Sequence, residues 1–319
     1  MRPQSLGVAA CALIAVGSFG AGATRYRGGL LRAAGLEHLS YGHGRALMDL
    51  LLTAGIFGLV VAWVLLWKTR PGLTQVRRSV CWWAGVLAMS APILSRDVYS
   101  YLMQGAMLRD GFDPYSEGAA VNPGPYLWEV SHDWRNTTTP YGPLHLGMGK
   151  AVTWLVGENV TLGLVVYRLI SLAGFALIMW ALPRIAKQIG GDPALALWLG
   201  AANPVMLLHL IGGMHNEAVM VGLVSVGLLW CLRSRWCTPG IALIALAVSL
   251  KATAAVALPF VVWLMVKRRS ATTLGAAGML VACGAWALAV NVAVIQLVTW
   301  ASGTTWGWLE EITGNSKVI

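Results

Sequence analysis

Asp97 lies in the segment SRDVYSYLMQGAMLRDGFDPY, directly after an apolar run over 79–95. At the lip of a bilayer the dielectric falls, and a carboxylate there is a stronger base than in water. Such a group suits the capture of a proton from an incoming hydroxyl while a lipid-borne reactant presents its electrophilic carbon from the membrane side. The competing reading makes Asp97 the N-terminal cap of a helix expected from Val98 to about Arg109. Either way, Asp97 stands where that helix begins.

Two further polar groups interrupt apolar sequence. In HLIGGMHNEAVMVGL, over 209–223, Gly212 and Gly213 supply a turn and His215, Asn216 and Glu217 lead into the next helix. Asn216 as a cap and Glu217 at the positive end of the helix account for those types structurally. Their placement on the same side as Asp97 makes substrate contact the alternative reading. Lys251 is the one basic residue in GIALIALAVSLKATAAVALPFVVWLMV, over 240–266. An ammonium at membrane depth costs about 2.5–3.5 kcal/mol on insertion scales and is a functional candidate by default. A lipid phosphate is one partner for it; Asp97 or Glu217 is the other.

Between these groups the stretch from Arg96 to about Gly157 is unlike the rest of the chain. Asp97, Asp110, Asp113, Glu117, Glu129 and Asp133 place six of the thirteen carboxylates there. GFDPY at 111–115, NPGPY at 122–126 and TPYGPL at 139–144 are punctuated by Pro and Gly, which speaks for fixed turns. Rings such as Tyr115, Tyr126, Trp128, Trp134 and Tyr141 among carboxylates such as Asp113 suit a sugar cleft, because rings stack on sugar faces and carboxylates accept hydroxyl hydrogen bonds. The plainer reading is an interfacial aromatic belt with solvated acids.

The elements that must position these residues are membrane helices. Apolar runs over 5–23, 48–67, 79–95, 160–182, 193–210, 217–232 and 271–292 are read as spans, each near the roughly 20 residues a crossing needs. Basic clusters at Lys68, Arg70, Arg77 and Arg78, at Arg184 and Lys187, at Arg233 and Arg235, and at Lys267, Arg268 and Arg269 mark the cytoplasmic side. Arg25, Arg27, Arg32 and Arg45 fall on the opposite side, against that rule. The loop over 96–157 is then extracytoplasmic. The run over 239–266 leaves from and returns to the cytoplasmic side. It is too short for two crossings, since half-helices of about 12 residues reach only about 18 Å each. It reads as a re-entrant hairpin with Lys251 near its tip, or as one tilted span with one end misassigned.

Composition supports the same architecture. Of 319 residues, 57% are hydrophobic and 11% charged, with a mean hydropathy of +0.66, against roughly 25% charge in a soluble domain. The net charge of +10 sits in short clusters between apolar runs, which fits topology signals and argues against nucleic acid as a partner. Cys11, Cys81, Cys231, Cys237 and Cys283 form no metal-ligand pattern, and no histidine or carboxylate stands near Cys231 and Cys237. The start reads as a retained first helix rather than a signal peptide, because further spans follow. No P-loop or dinucleotide fingerprint is present, which argues against ATP or a nucleotide sugar.

Taken in order, SRDVYSY, GFDPY, TPYGPL and GGMHNEAVM resemble the actinobacterial polyprenol-phosphate-mannose-dependent α-1,6-mannosyltransferases, integral-membrane enzymes of the GT-C class. The matching stretch runs from about Ser95 to the GWL at 307–309. The resemblance implies an all-α, polytopic transmembrane bundle of GT-C type over 1–319, with a large extracytoplasmic loop carrying short helices and a re-entrant hairpin. It implies a multi-pass enzyme of the cytoplasmic membrane that moves mannose from polyprenyl-phosphate-mannose to a lipid-anchored α-1,6-mannan on the outer face. In that class an acid of the first large external loop is the proposed base, and the matching position is Asp97. Family members continue through more spans than this chain, which stops at Ile319 in what reads as an external loop; the resemblance therefore implies a C-terminal truncation.

A polyprenyl phosphate is already a leaving group, so inverting transfer needs a base on the acceptor hydroxyl and a cation on the phosphate. Asp97 is expected to fill the first role and Lys251 or Arg96 the second, with Asp113, Tyr115, Tyr141, His215, Asn216 and Glu217 as substrate contacts and no metal or other cofactor. A flippase of lipid-linked sugars is the competing class, since half-helices are at home there. Its members lack a single long acid- and aromatic-rich loop and show inverted repeats, which are not visible here. A third reading keeps the enzyme class and changes the sugar to arabinose or glucose.

Overall fold

The computed structural model describes residues 2–233, 237–269 and 273–314, and these form an all-α protein with no strand among them. Its main helices are α1 (Pro3–Ala21), α2 (Gly42–Lys68), α3 (Leu73–Leu87), α4 (Asp97–Arg109), α5 (Pro143–Val156), α6 (Val160–Gln188) and α7 (Pro193–Gly200). They continue with α8 (Pro204–Gly212), α9 (Glu217–Cys231), α10 (Cys237–Leu250), α11 (Leu258–Arg269), α12 (Thr273–Ser302) and α13 (Gly307–Gly314). Arg235, residues 271 and 272 of the last expected span, and Ile319 lie outside the described residues.

Four helices among the described residues are long and apolar enough to cross a bilayer: α1, α2, α6 and α12. The chain is a polytopic membrane protein, but several expected spans differ from the helices found. The run over 193–210 is a bent pair, with α7 and α8 meeting at 51°. Pro204 has no N–H to continue α7, and Asn203 Oδ1 accepts the Val205 N–H at 2.9 Å to start a new helix. The run over 79–95 is shifted toward the N-terminus. Helix α3 takes in Arg77 and Arg78 and ends at Leu87, ahead of Pro92, which cannot donate in a helix. The run over 217–232 becomes α9, whose 15 residues rise only about 22 Å, short of the roughly 30 Å hydrocarbon core. At 239–266, α10 stops at Leu250 and Lys251 is extended (φ −152°, ψ 127°); the 3-10 turn Ala252–Ala257 then leads into α11.

Small residues set the spacing. Helices α4 and α5, both inside the segment 96–157, cross so closely that a Cβ on Gly105 would fall 2.2 Å from the Gly149 carbonyl carbon. Around that crossing Tyr99, Tyr101, Leu102, Met103 and Met107 are buried with Val152, Val160 and Tyr167. The segment is therefore a packed unit on the bundle. Helices α6 and α9 approach in the same way, Gly174 lying against Ala218 and Gly222 against the Gly174 carbonyl. Cys11, Cys231, Cys237 and Cys283 are buried and Cys81 is exposed; all five are free thiols.

Candidate functional site

Two turns carry the acidic and imidazole groups. One, 88–96, joins α3 to α4; the other, 213–216, joins α8 to α9. Each holds a non-glycine residue in the left-handed region, Leu94 at φ 64° and Met214 at φ 55°, a conformation that persists only where surrounding structure enforces it. The enforcement is visible. The Ile93 N–H donates to the Gly212 carbonyl at 3.2 Å. Buried Arg168 of α6 donates to the carbonyls of Ser90 at 2.7 Å, Gly212 at 3.3 Å and Ile211. One guanidinium thus ties the first turn to the end of α8, from which the second turn leaves, and among the described residues it meets no carboxylate.

On this frame four ionisable groups fall in a row. Asp97 begins α4, its side chain 32% exposed, with its N–H donating to Ser95 Oγ at 3.0 Å. His215 Nδ1 lies 3.5 Å from Asp97 Oδ2 and 3.7 Å from Glu217 Oε2. Glu217 Oε1 in turn lies 2.5 Å from Lys251 Nζ. Burial lowers the pKa of His215, while the carboxylates of Asp97 and Glu217 act in the opposite direction. Two carboxylates facing Nδ1 place the ring proton there. His215 Nε2, Asn216 Oδ1 and Glu217 Oε2 are buried with no hydrogen-bond partner among the described residues; Glu217 Oε2 faces His215 Nδ1, and the other two are left unsatisfied within the row.

Tyr141 joins the row through a backbone approach. The Gly142 N–H donates to the Leu250 carbonyl at 3.1 Å, and a Cβ on Gly142 would fall 2.2 Å from the Ser249 oxygen. The TPYG turn is thereby seated on the end of α10. Tyr141 then lies with its ring centroid 5.4 Å from Lys251 Nζ. Behind it sits His145, which sequence reasoning missed. The Asn216 amide donates to His145 Nδ1 (3.1 Å), so Nε2 carries the proton and donates to Gln104 Oε1 (3.3 Å). Burial holds the His145 pKa down to about 3, and the rings of Tyr101 and Tyr141 enclose it at 4.6 and 4.4 Å.

The structure thus gathers Asp97, Tyr141, His215, Asn216, Glu217 and Lys251. The remaining three expected site residues are engaged differently. Arg96 donates to the Glu129 carbonyl at 2.8 and 3.2 Å and to the Thr24 carbonyl at 2.6 Å, and stacks 3.6 Å over the Tyr26 ring. Glu129, fully buried, also takes the N–H groups of Tyr26 and Arg27 and faces Arg25, so these groups lock the segment after α1 to the 96–157 unit. Asp113 Oδ1 accepts the Tyr115 N–H at 3.0 Å within its own turn. Tyr115 is buried against Gly307. Beside Asp97 an open cavity of about 410 Å³ is lined also by Arg96, Ser131 and Trp134. Among the described residues no three His, Cys, Asp or Glu groups are arranged to hold a metal ion.

Fold and site define a helical membrane protein with an acid, imidazole, acid and ammonium in sequence where two loops meet. The family model described as "Alpha-(1->6)-mannopyranosyltransferase, N-terminal domain" matches residues 4–267, and the chain belongs to that family. It is 53% identical to alpha-(1->6)-mannopyranosyltransferase A of Corynebacterium glutamicum over 96% of this chain and 67% of that protein. It is 39% identical to alpha-(1->6)-mannopyranosyltransferase A of Mycobacterium tuberculosis over 99% of this chain and 62% of that protein. A probable alpha-(1->6)-mannopyranosyltransferase of Mycolicibacterium smegmatis is 32% identical over 100% and 62%. The chain therefore spans roughly two thirds of the length of these relatives. No solved structure matches it.

Proposed function

We propose that this site transfers mannose from polyprenyl-phosphate-mannose to the 6-hydroxyl of a lipid-anchored α-1,6-mannan, with Asp97 as general base. The acceptor proton passes to the Asp97 carboxylate as the hydroxyl oxygen attacks the anomeric carbon. The bond from that carbon to the phosphate oxygen breaks, and polyprenyl phosphate leaves with its electron pair. A single displacement of this kind inverts the carbon. His215, with Nδ1 facing Asp97, orients the carboxylate and stabilises it electrostatically. The ring of Tyr141 and the free Oδ1 of Asn216 suit stacking on a sugar face and acceptance of a sugar hydroxyl. With phosphate as leaving group, the reaction as proposed needs neither a metal nor another cofactor.

The observation that carries this reading is Asp97 itself, a partly exposed carboxylate on an open cavity with an imidazole 3.5 Å behind it, in a chain of a mannosyltransferase family. The basic clusters between helices favour the cytoplasmic membrane with this site on its outer face. Incubating membranes that contain the protein with labelled polyprenyl-phosphate-mannose and a short α-1,6-mannoside tests it. Label is expected in a product one mannose longer, and no elongation with either substrate omitted. Equal elongation from a nucleotide sugar would contradict the donor assignment.

A further inference from the structure

A second, larger cavity of about 680 Å³ lies between the end of α1, the segment 24–41, the turn after α3 and the outer face of α6. Its walls are mostly apolar, with Phe19, Leu164, Leu169 and Leu172 among them, and its charges are unbalanced: Arg25, Arg32 and Arg168 against Glu37 alone. Arg32 is paired with Glu37 at 3.2 Å, and Arg25 shares Glu129 with Arg96. Arg168 has only main-chain carbonyls as partners among the described residues. Those bonds leave part of its five-donor guanidinium over. Ser90 adds a second signal, since the residue is 7% exposed and lines the same cavity, and its hydroxyl has no hydrogen-bond partner among the described residues.

Besides fastening those carbonyls, a cation within a membrane helix that lines an apolar space, meets no carboxylate among the described residues and keeps unused donors is suited to receive an anion. Leu169, 60% exposed on the outward face of α6, stands at the rim, so the cavity opens toward lipid. The chamber beside Asp97 lies across a thin wall, where the Ala23 N–H donates to the Pro92 carbonyl at 2.7 Å. We propose that this cavity binds an isoprenoid phosphate, its phosphate held by Arg168 and the Ser90 hydroxyl and its first isoprene units lying against Leu164, Leu169 and Leu172. A volume of this size holds a headgroup and the start of one chain. The choice of an isoprenoid over a bilayer phospholipid rests on the donor class proposed above; the charge argument does not.

The test uses the purified full chain in phosphatidylcholine nanodiscs, with tritiated farnesyl phosphate as probe and farnesol and phosphatidylglycerol as competitors. Farnesyl phosphate is expected to bind about tenfold more tightly than farnesol, as one charge-assisted contact provides. Leu169→Trp, which fills the rim without touching buried structure, should weaken both by about tenfold at an unchanged melting temperature. Ser90→Ala should narrow the gap between the two ligands by roughly threefold. Unchanged farnesyl phosphate binding in Leu169→Trp would overturn the site. Equal binding of farnesol would overturn the phosphate contact, and displacement by phosphatidylglycerol as effective as by farnesyl phosphate would overturn the isoprenoid assignment. Failure of the cavity variants to matter while Asp97→Asn abolishes transfer sinks this proposal alone. Normal transfer by Asp97→Asn with the cavity binding as described leaves the lipid site standing and removes the assigned base.

Discussion

Lys251 Nζ lies 2.5 Å from Glu217 Oε1, and both side chains are under one third exposed. The ammonium at the break after α10 is therefore half of an ion pair with the first residue of α9. From sequence, Lys251 had two partners to choose between, a lipid phosphate or a carboxylate, and the geometry supplies the second. Glu217 is consequently fixed, with its other oxygen turned toward His215.

Replacing Lys251 by Met keeps the apolar stem and strands the Glu217 carboxylate. The variant is expected to lose about 2 kcal/mol of stability, and Glu217→Gln added to it should restore part of that loss. Thermal melts of the single and double variants decide. An unchanged melting temperature in Lys251→Met, with lowered donor affinity, would favour a phosphate role instead.

His145 makes stability depend on pH in a defined direction. Its folded pKa is held down to about 3 by burial, below the roughly 6.5 of an unfolded histidine. The unfolded chain therefore binds the extra proton first, so the stabilisation is complete above about pH 6.5 and is lost as the pH falls toward the folded value. Between pH 7 and pH 5 the protein is expected to lose about 2 kcal/mol more than a His145→Gln variant. Parallel denaturation curves for the two proteins across that interval would contradict it.

Gly142 and Gly85 offer a paired test of positioning. A Cβ at Gly142 meets the Ser249 carbonyl oxygen at 2.2 Å, whereas one at Gly85 meets no packing neighbour within 4 Å among the described residues. Gly142→Ala should push Tyr141 away from Lys251 and lower transfer about tenfold or more. Gly85→Ala, inside α3, should leave transfer unchanged and stabilise by roughly 0.5–1 kcal/mol. Equal turnover in the two variants would mean that the seat of Tyr141 is irrelevant to the site.

Sidedness is open to direct labelling. In a background without native cysteines, single cysteines placed within 115–135 are expected to react with an impermeant reagent applied from outside, and those within 70–76 to be spared. The reverse pattern would put the Asp97 cavity on the cytoplasmic side and overturn the proposed orientation.

Much of the site was legible because charge stands out in apolar sequence. Asp97, the His215 to Glu217 turn and Lys251 all interrupt hydrophobic runs, and Tyr141 sits between two helix breakers. The same signal was present at Arg168, inside the run over 160–182, and was the one to read: a lone guanidinium in a span needs partners, which here are the carbonyls of Ser90 and of the end of α8. His145 stood out less, as a single imidazole between Leu144 and Leu146 in the first turn of a short helix, and its partners Gln104 and Asn216 are distant along the chain. Adjacency to Asp97 could not show that the Arg96 guanidinium also bonds the Glu129 carbonyl and stacks on Tyr26. Hydropathy located the apolar runs but not their helix ends, which Asn203, Pro204 and Pro92 set through capping and missing donors.

The central claim is that Asp97 removes the acceptor proton, and an isosteric change at that position tests it most directly. Asn keeps the size of Asp97 and its place at the start of α4 but accepts no proton. Transfer from labelled polyprenyl-phosphate-mannose to a short α-1,6-mannoside should fall by about 10²–10⁴-fold in Asp97→Asn, at an unchanged melting temperature and donor dissociation constant. Turnover within a few-fold of the unsubstituted protein would contradict the account and remove Asp97 from the chemistry.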